Sequence, residues 1–256
     1  MPGVLDSFRL DGRVACVTGT TRGIGRTAAI ALAEAGCDVV HIDRSDPAET
    51  RAAIEALGRR SAVVRLDLGE AGAEDCERAV EAATAAFGRL DILVNSAGAI
   101  ARGSVLDVSA EEADRVLHID LACVLALSRA AGRVFVPQRS GAIVNVASLL
   151  AFQGGVLVSS YAIAKHGVLG ATRALANEWA PHGVRVNAIA PGYFATEFTS
   201  ALWNDPVRSQ ELLARIPAGR WGDTEDLAGA FVYLCSPAAG YVTGQVLTVD
   251  GGWMSR

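Results

Sequence analysis

The sequence predicts an α/β protein, a single-domain doubly wound parallel sheet with helices on both faces. Three observations carry that reading. Short β-branched runs alternate with Ala-rich stretches along the 256 residues, the order of elements that builds a parallel sheet. Several runs (VACVT, DILVN, AIVNVA, VRVNAIA) are apolar throughout, as strands covered on both faces must be. No Pro-, Gly- or Ser-rich linker and no repeat of fixed period divides the chain, so residues 1–256 read as one domain.

The first strand is expected over 13–18, running straight into TGTTRGIG and a helix over 24–35. The second, 38–42, ends at Asp43 and Arg44 and leads to a helix over 47–57. The third, 62–66, ends at Asp67 and precedes a helix over 70–87. The fourth, 92–95, is followed by a long helix over 109–134. The fifth, 142–147, meets Ser148, and a helix over 160–180 comes next. The sixth is placed at 184–190, a helix at 224–236 and the last strand at 245–249. Gly36, Gly58, Gly88 and Gly183 fall at helix ends, where a left-handed cap is wanted. Residues 192–222 follow Pro191, contain Pro206 and Pro217, and have little strand character. Their aromatics (Tyr193, Phe194, Phe198, Trp203, Trp221) read as exposed, and so long an irregular segment reads as a substrate lid.

Composition narrows the function. Hydrophobic residues make up 51% and charged residues 20%, which excludes disorder and supplies a sizeable core. A net charge of −5 argues against a nucleic-acid partner. Five scattered cysteines (16, 37, 76, 123, 235) without a CxxC read as reduced core thiols, not disulfides or a metal site. The opening MPGVLDSFRLDGR carries charges where a signal peptide needs an apolar run, and no apolar stretch of about 18 residues occurs. A cytoplasmic protein with no membrane contact is expected.

The glycine-rich turn has a physical logic. Gly19 suits a tight turn, Gly23 lets backbone approach a pyrophosphate, and Gly25 lets the helix pack closely on the sheet. The helix N-terminus then offers free N–H groups to phosphate. Asp43 lies 18 residues past Gly25, near the offset at which an acid meets the adenosine ribose hydroxyls. A carboxylate there favours NAD over NADP, whereas Arg44 beside it favours a 2′-phosphate. Asp67 is placed either to cap a turn or to meet the adenine.

Of the 23 basic residues, 22 are Arg and one is Lys, Lys165. Tyr161 precedes it by one helical turn on the same face. A phenol titrates near 10, too high for efficient proton transfer at neutral pH, and a nearby ammonium lowers it. Ser148 ends the fifth strand at the sheet edge where such proteins bind ligands, and its hydroxyl can hold the oxygen that the phenol protonates.

TGTTRGIG (18–25), Asn95-Ser-Ala-Gly98, Ser148, Tyr161-x-x-x-Lys165 and Pro191-Gly192-x-x-x-Thr196 resemble the motifs of the short-chain dehydrogenases/reductases over essentially the whole chain. The resemblance implies a seven-stranded Rossmann-like sheet and a nicotinamide cofactor. It implies Tyr161 as general acid/base, Lys165 on the nicotinamide ribose and the phenol, and Ser148 on the substrate oxygen. It implies a cofactor site drawn from Gly19, Thr21, Arg22, Gly23, Ile24, Gly25, Asp43, Arg44, Asp67, Leu68, Asn95, Ala97, Gly98, Tyr161, Lys165, Pro191, Gly192, Phe194 and Thr196. A homotetramer is implied too, paired through the helices at 109–134 and 160–180 and the last strand. Two positions depart from the pattern. Ser96 replaces an Asn, and Asp120, in HIDL, replaces the Asn that completes the family's catalytic set. In the family the main-chain carbonyl there holds a water bound to the Lys. That carbonyl survives the change, while an added carboxylate near Lys165 shifts the local proton balance.

Within the family, SLLAFQGG (148–155), ALANEWAPHGVRVNAIAPGYFAT (174–196), RIPAGRWG (215–222) and VDGGW (249–253) are most similar to dehydrogenases of 2-dehydro-3-deoxy-D-gluconate and of gluconate. This implies interconversion of a secondary alcohol and a ketone on a sugar acid. Such a substrate needs a cation and hydroxyl partners. Arg102, Gln153, Tyr193 and Trp203, with Ser148 and Tyr161, are the expected contacts, and Arg215 and Arg220 are further cations. Ala99, Ile100, Val156, Leu157 and Val158 supply an apolar wall, with Leu157 where sugar-acid enzymes are expected to be polar. That wall suits the alternative of an apolar ketone or a 3-oxoacyl thioester. A non-catalytic NAD-binding protein is a third reading, opposed by the joint presence of Ser148, Tyr161 and Lys165.

Overall fold

A computed structural model describes residues 3–255. The strands are β1 (Val14–Thr18), β2 (Asp38–Asp43), β3 (Ser61–Arg65), β4 (Ile92–Asn95), β5 (Gly141–Val146), β6 (Val184–Pro191) and β7 (Val246–Val249), each within one residue of its expected bounds. All pair in parallel, in the order β3-β2-β1-β4-β5-β6-β7. The order reverses between β1 and β4, which opens a crevice beyond their carboxyl ends.

The helices are α1 (Gly23–Glu34), α2 (Ala48–Ala56), α3 (Ala73–Phe87), α4 (Ala110–Leu117), α5 (Cys123–Gln138), α6 (Ser159–Trp179), α7 (Ser200–Trp203), α8 (Pro206–Leu213) and α9 (Ala228–Cys235). Side chains of a strand point alternately to the two faces. Val14 and Cys16 therefore join a core with α3, α5 and α6, while Ala15 and Val17 join one with α1, α2 and α9. This two-sided burial is why the strands are apolar throughout. All five cysteines are free and buried. No helix of the described residues is long and apolar enough to cross a membrane.

Two expectations change. The helix expected over 109–134 is interrupted: α4 passes through a π turn, His118–Ala122, before α5 begins. Such turns insert a residue without needing Pro or Gly, so HIDLA carries no local mark of it. The segment 192–222 is also not merely irregular, since it folds α7 and α8, the latter capped by Asp205 accepting from the Val207 and Arg208 N–H groups. Nor are all its aromatics exposed. Phe194 is buried, and Tyr193 and Trp221 are half-buried. Tyr193 packs 4.6 Å from Trp253 and edge-on to Trp221 at 5.7 Å, in a small core with Leu149, Leu212 and Ile216.

Candidate active site

The glycine turn is held from three sides. The Thr18 hydroxyl accepts from the Ser96 and Ala97 N–H groups, both at 2.9 Å, tying the turn after β4 to the turn after β1. Asp43 Oδ2 accepts from Thr20 N (2.7 Å), Thr21 N (3.1 Å) and Thr21 Oγ1 (2.9 Å). From α2, Thr50 donates to the Thr20 carbonyl at 2.8 Å. Gly19 has φ +69°, and a Cβ there would stand 2.9 Å from the Ala97 Cα; one on Gly25 would stand 2.2 Å from the Gly19 oxygen. At Gly23 a Cβ would meet only Thr196 Cγ2, at 3.9 Å. The space before the α1 N-terminus is thus open, and its free N–H groups fit the pyrophosphate of a dinucleotide. Thr21 and Arg22 flank that space, exposed, with Ile24 half-buried. Arg22 pairs with Glu197 at 2.7 Å, bridging the turn and the segment after β6.

Other expected cofactor residues divide. Ala97, Gly98, Gly192 and Thr196 lie at the strand ends around the crevice, partly or fully exposed, and Arg44 is exposed beside Asp43. Pro191 and Phe194 are buried. Of the two roles open to Asp67, the turn cap forms: its Oδ1 accepts from Gly69 N at 2.8 Å. The Leu68 side chain belongs to the core. Asn95 departs from expectation, because its amide turns inward. Its Nδ2 donates to Ser128 Oγ (3.1 Å) and Asn145 Oδ1 (2.8 Å), as a buried amide needs partners.

Ser148, Tyr161, Lys165 and Asp120 come together beyond β4 and β5. Ser148 accepts from Leu150 N at 3.2 Å, capping a short turn, Leu149–Ala151, and pulls the Tyr161 phenol toward its charged form. The buried Lys165 Nζ donates to the Val146 carbonyl at 3.0 Å and lies 5.3 Å from the Tyr161 ring centroid. It also pairs with Asp120 Oδ2 at 3.1 Å, while Asp120 Oδ1 accepts from Ala99 N at 2.6 Å. The side chain at 120 therefore reaches the ammonium.

The charges here are interdependent. Burial pushes the Tyr161 phenol above its ordinary value; Lys165 pulls it down, Asp120 pushes it up, and Ser148 and Arg102 pull it down. Burial opposes the Lys165 charge, but Asp120 and Tyr161 outweigh it and hold the ammonium above its usual range. Burial also raises the Asp120 carboxyl, against the pull of Lys165 and the Ala99 N–H.

The expected substrate contacts differ in exposure: Trp203 is exposed, Gln153 half-buried, and Tyr193 packs in the small core around Trp253. Arg102 is exposed and donates to the Phe198 carbonyl at 2.9 Å, and the Phe198 ring lies 5.7 Å from that of Tyr161. Gln153 Oε1 accepts from Trp253 Nε1 at 3.2 Å, and Trp203 Nε1 donates to the Thr196 carbonyl at 3.0 Å. Two further candidates are engaged elsewhere. Arg220 is clamped by both Asp226 oxygens, at 2.7 and 2.9 Å, and Arg215 lies 3.9 Å over the Trp253 ring. Leu157 is exposed at φ +62°, and its carbonyl accepts from Gly103 N at 2.9 Å. Residues not anticipated from the sequence are Thr20, His41, Thr50 and Val146, while Ala99 and Phe198, expected only on the wall and the lid, hold Asp120 and Arg102. Only His41 carried a signal, a polar ring inside a strand covered on both faces.

Comparison with known proteins places this geometry. A family model described as enoyl-(acyl carrier protein) reductase matches residues 19–254. The 2-dehydro-3-deoxy-D-gluconate 5-dehydrogenase of Escherichia coli K12 is 47% identical over 254 residues, covering 99% of this chain and 100% of that protein. The chain belongs to the short-chain dehydrogenase/reductase family. It is accordingly an NAD(P)-dependent oxidoreductase of CH–OH groups. The Bacillus subtilis protein of the same name is 43% identical, covering 98% of each chain. The crystal structure of a gluconate 5-dehydrogenase from Burkholderia cenocepacia J2315, in complex with NADP and tartrate, has a TM-score of 0.94 at 36% identity, covering 99% of this chain and 100% of that one.

Proposed function

We propose that this protein interconverts a secondary alcohol and a ketone on a sugar acid of the deoxy-keto-gluconate class, with NAD preferred. One observation carries the reading: a Tyr161–Lys165–Asp120 cluster with Ser148, beside an exposed arginine, Arg102, that donates to the carbonyl of Phe198, whose ring packs on Tyr161. The cluster suits proton transfer at a carbinol oxygen, and the arginine suits a carboxylate on the same molecule. The names of the relatives support the sugar acid.

Gly19, Thr21, Arg22, Gly23, Ile24 and Gly25 would hold the pyrophosphate. Asp43, Arg44, Asp67 and Leu68 would border the adenosine, and Asn95 (through its backbone), Ala97 and Gly98 the middle of the cofactor. Pro191, Gly192, Phe194 and Thr196 would border the nicotinamide. A bound nicotinamide supplies or removes the hydride. Ser148 holds the substrate oxygen, and Tyr161 takes its proton during oxidation or returns it during reduction. Lys165 spends one N–H on Val146 and one contact on Asp120, which leaves donor capacity for the nicotinamide ribose. Arg102 binds the carboxylate, with Gln153, Tyr193 and Trp203 around the hydroxyls and 192–222 as the lid of a single domain. Asp43 supports NAD; exposed Arg44 and the NADP of the Burkholderia relative support measurable NADP activity.

Exposed Val156 and Leu157 on the wall favour one second reading, an apolar ketone or 3-oxoacyl thioester. Rates on a panel of sugar acids, polyols, hydroxysteroids and acyl thioesters, with both cofactors, decide between them. A thioester or apolar ketone turned over faster than every sugar acid would replace the first reading. The working form is a cytoplasmic homotetramer, paired through α4–α5, α6 and β7. An open groove on α5 and α6, lined by Leu125, Val136 and Trp179 with Arg129, Arg133 and Glu178, lies on the helices expected to pair, and light scattering tests the assembly.

A further inference from the structure

His41 interrupts the apolar run of β2 and is fully buried, yet the chemistry above makes no use of it. Both ring nitrogens are engaged. Nδ1 lies 2.8 Å from Thr20 Oγ1, and Nε2 lies 2.9 Å from Ser61 Oγ on β3. Thr20 reaches Asp43 Oδ2 twice, through its N–H at 2.7 Å and its hydroxyl at 3.4 Å. A carboxylate only accepts, so one polarity keeps every contact. Ser61 O–H donates to Nε2, Nδ1–H to Thr20 Oγ1, and Thr20 O–H to Asp43. This tautomer is assigned from the network. Burial, reinforced by Arg51, pushes the imidazole down to about 4, so the ring is neutral at physiological pH, as the chain of donors requires. Filling space does not call for histidine, since Val39, Val40 and Ile42 fill the same strand. A connected buried polar chain instead fixes orientation, because each unmade bond is costly there.

We propose that His41 is a positioning residue for cofactor choice: through Thr20 it holds the Asp43 carboxylate so that Oδ2 is spent on the turn and Oδ1 is kept for the adenosine ribose. This rests on the dinucleotide reading above. It assigns the NAD:NADP ratio to a residue that touches neither cofactor nor substrate.

The test measures NADH and NADPH affinities by fluorescence titration, with steady-state kinetics, for wild type and three variants. His41→Leu removes both hydrogen bonds. His41→Gln keeps a partner for Ser61 but not for Thr20, and His41→Asn keeps one for Thr20. Leu and Gln should weaken NADH by about five- to tenfold and NADPH by less, with kcat and the sugar-acid KM within about twofold, while Asn stays near wild type. In an Asp43→Ser background His41→Leu should add no further loss, because it acts through Asp43. If His41→Leu does not fold, the contrast between Gln and Asn decides. Unchanged NADH affinity in Leu and Gln overturns the proposal, and so does an equal loss of NADH and NADPH, the mark of general loosening. A wild-type protein that binds neither dinucleotide overturns the functional reading itself, and this proposal with it.

Discussion

Asp43 and Asp120 are both buried aspartates at the carboxyl edge of the sheet, and they are balanced in opposite ways. Asp43 meets the dipoles of the glycine turn, two backbone N–H groups and two hydroxyls. Asp120 meets one backbone N–H and an ammonium. Dipoles hold a charge in place without cancelling it, so Asp43 still repels or attracts a ligand nearby. A cation cancels most of the field, so the Asp120–Lys165 pair tunes its neighbours more than it attracts anything distant. One carboxylate thus suits selection and the other suits proton chemistry.

The largest expected effect breaks the second arrangement. Lys165→Arg keeps the charge but not the compact donor, and a planar guanidinium does not fit between Asp120, Val146 and the ribose side. Steady-state kcat should fall by about 10²–10⁴, and near-normal turnover would make the chain's single lysine incidental.

The next effect lies beneath Asp43. The His41 imidazole is depressed from 6.5 to about 4 in the folded protein, so the unfolded chain binds the proton more readily. Its contribution is complete above pH 6.5 and is lost as the pH falls toward 4, by about 3 kcal/mol. Urea unfolding across that window should show the loss in wild type but not in His41→Gln. Equal acid sensitivity of the two would assign the loss to other groups.

Asp43→Ser sharpens the first arrangement. The wild type should prefer NAD by about tenfold in kcat/KM, or about 1.4 kcal/mol. The variant should lose most of that, because Arg44 then faces a 2′-phosphate unopposed. Equal wild-type rates with both cofactors would give the choice to Arg44. The smallest effect is expected at Asp120→Asn. It keeps the π turn and removes the anion that raises the phenol, so the basic pKa in the pH–rate profile of alcohol oxidation should move to lower pH, with kcat within about tenfold. An unmoved profile would reduce residue 120 to its backbone.

Much of the fold was legible because its signals are local. A strand buried on both faces must be apolar at every position, and a helix brings residues four apart together, so the sheet, the glycine turn and Tyr161–Lys165 follow from spacing alone. What only the tertiary structure decided depends on groups distant in sequence. The π turn at His118–Ala122 has no Pro or Gly to announce it, yet it carries the carboxylate that meets Lys165. Asn95 lies in a family-like motif, but its amide is drawn inward by Ser128 and Asn145. Tyr193 reads as exposed until Trp253 from the far end of the chain covers it. His41 meets Thr20 and Ser61 only because β2 lies between β1 and β3. A buried polar group takes its partner from whatever the packed chain brings within hydrogen-bonding reach, and sequence neighbours do not report that.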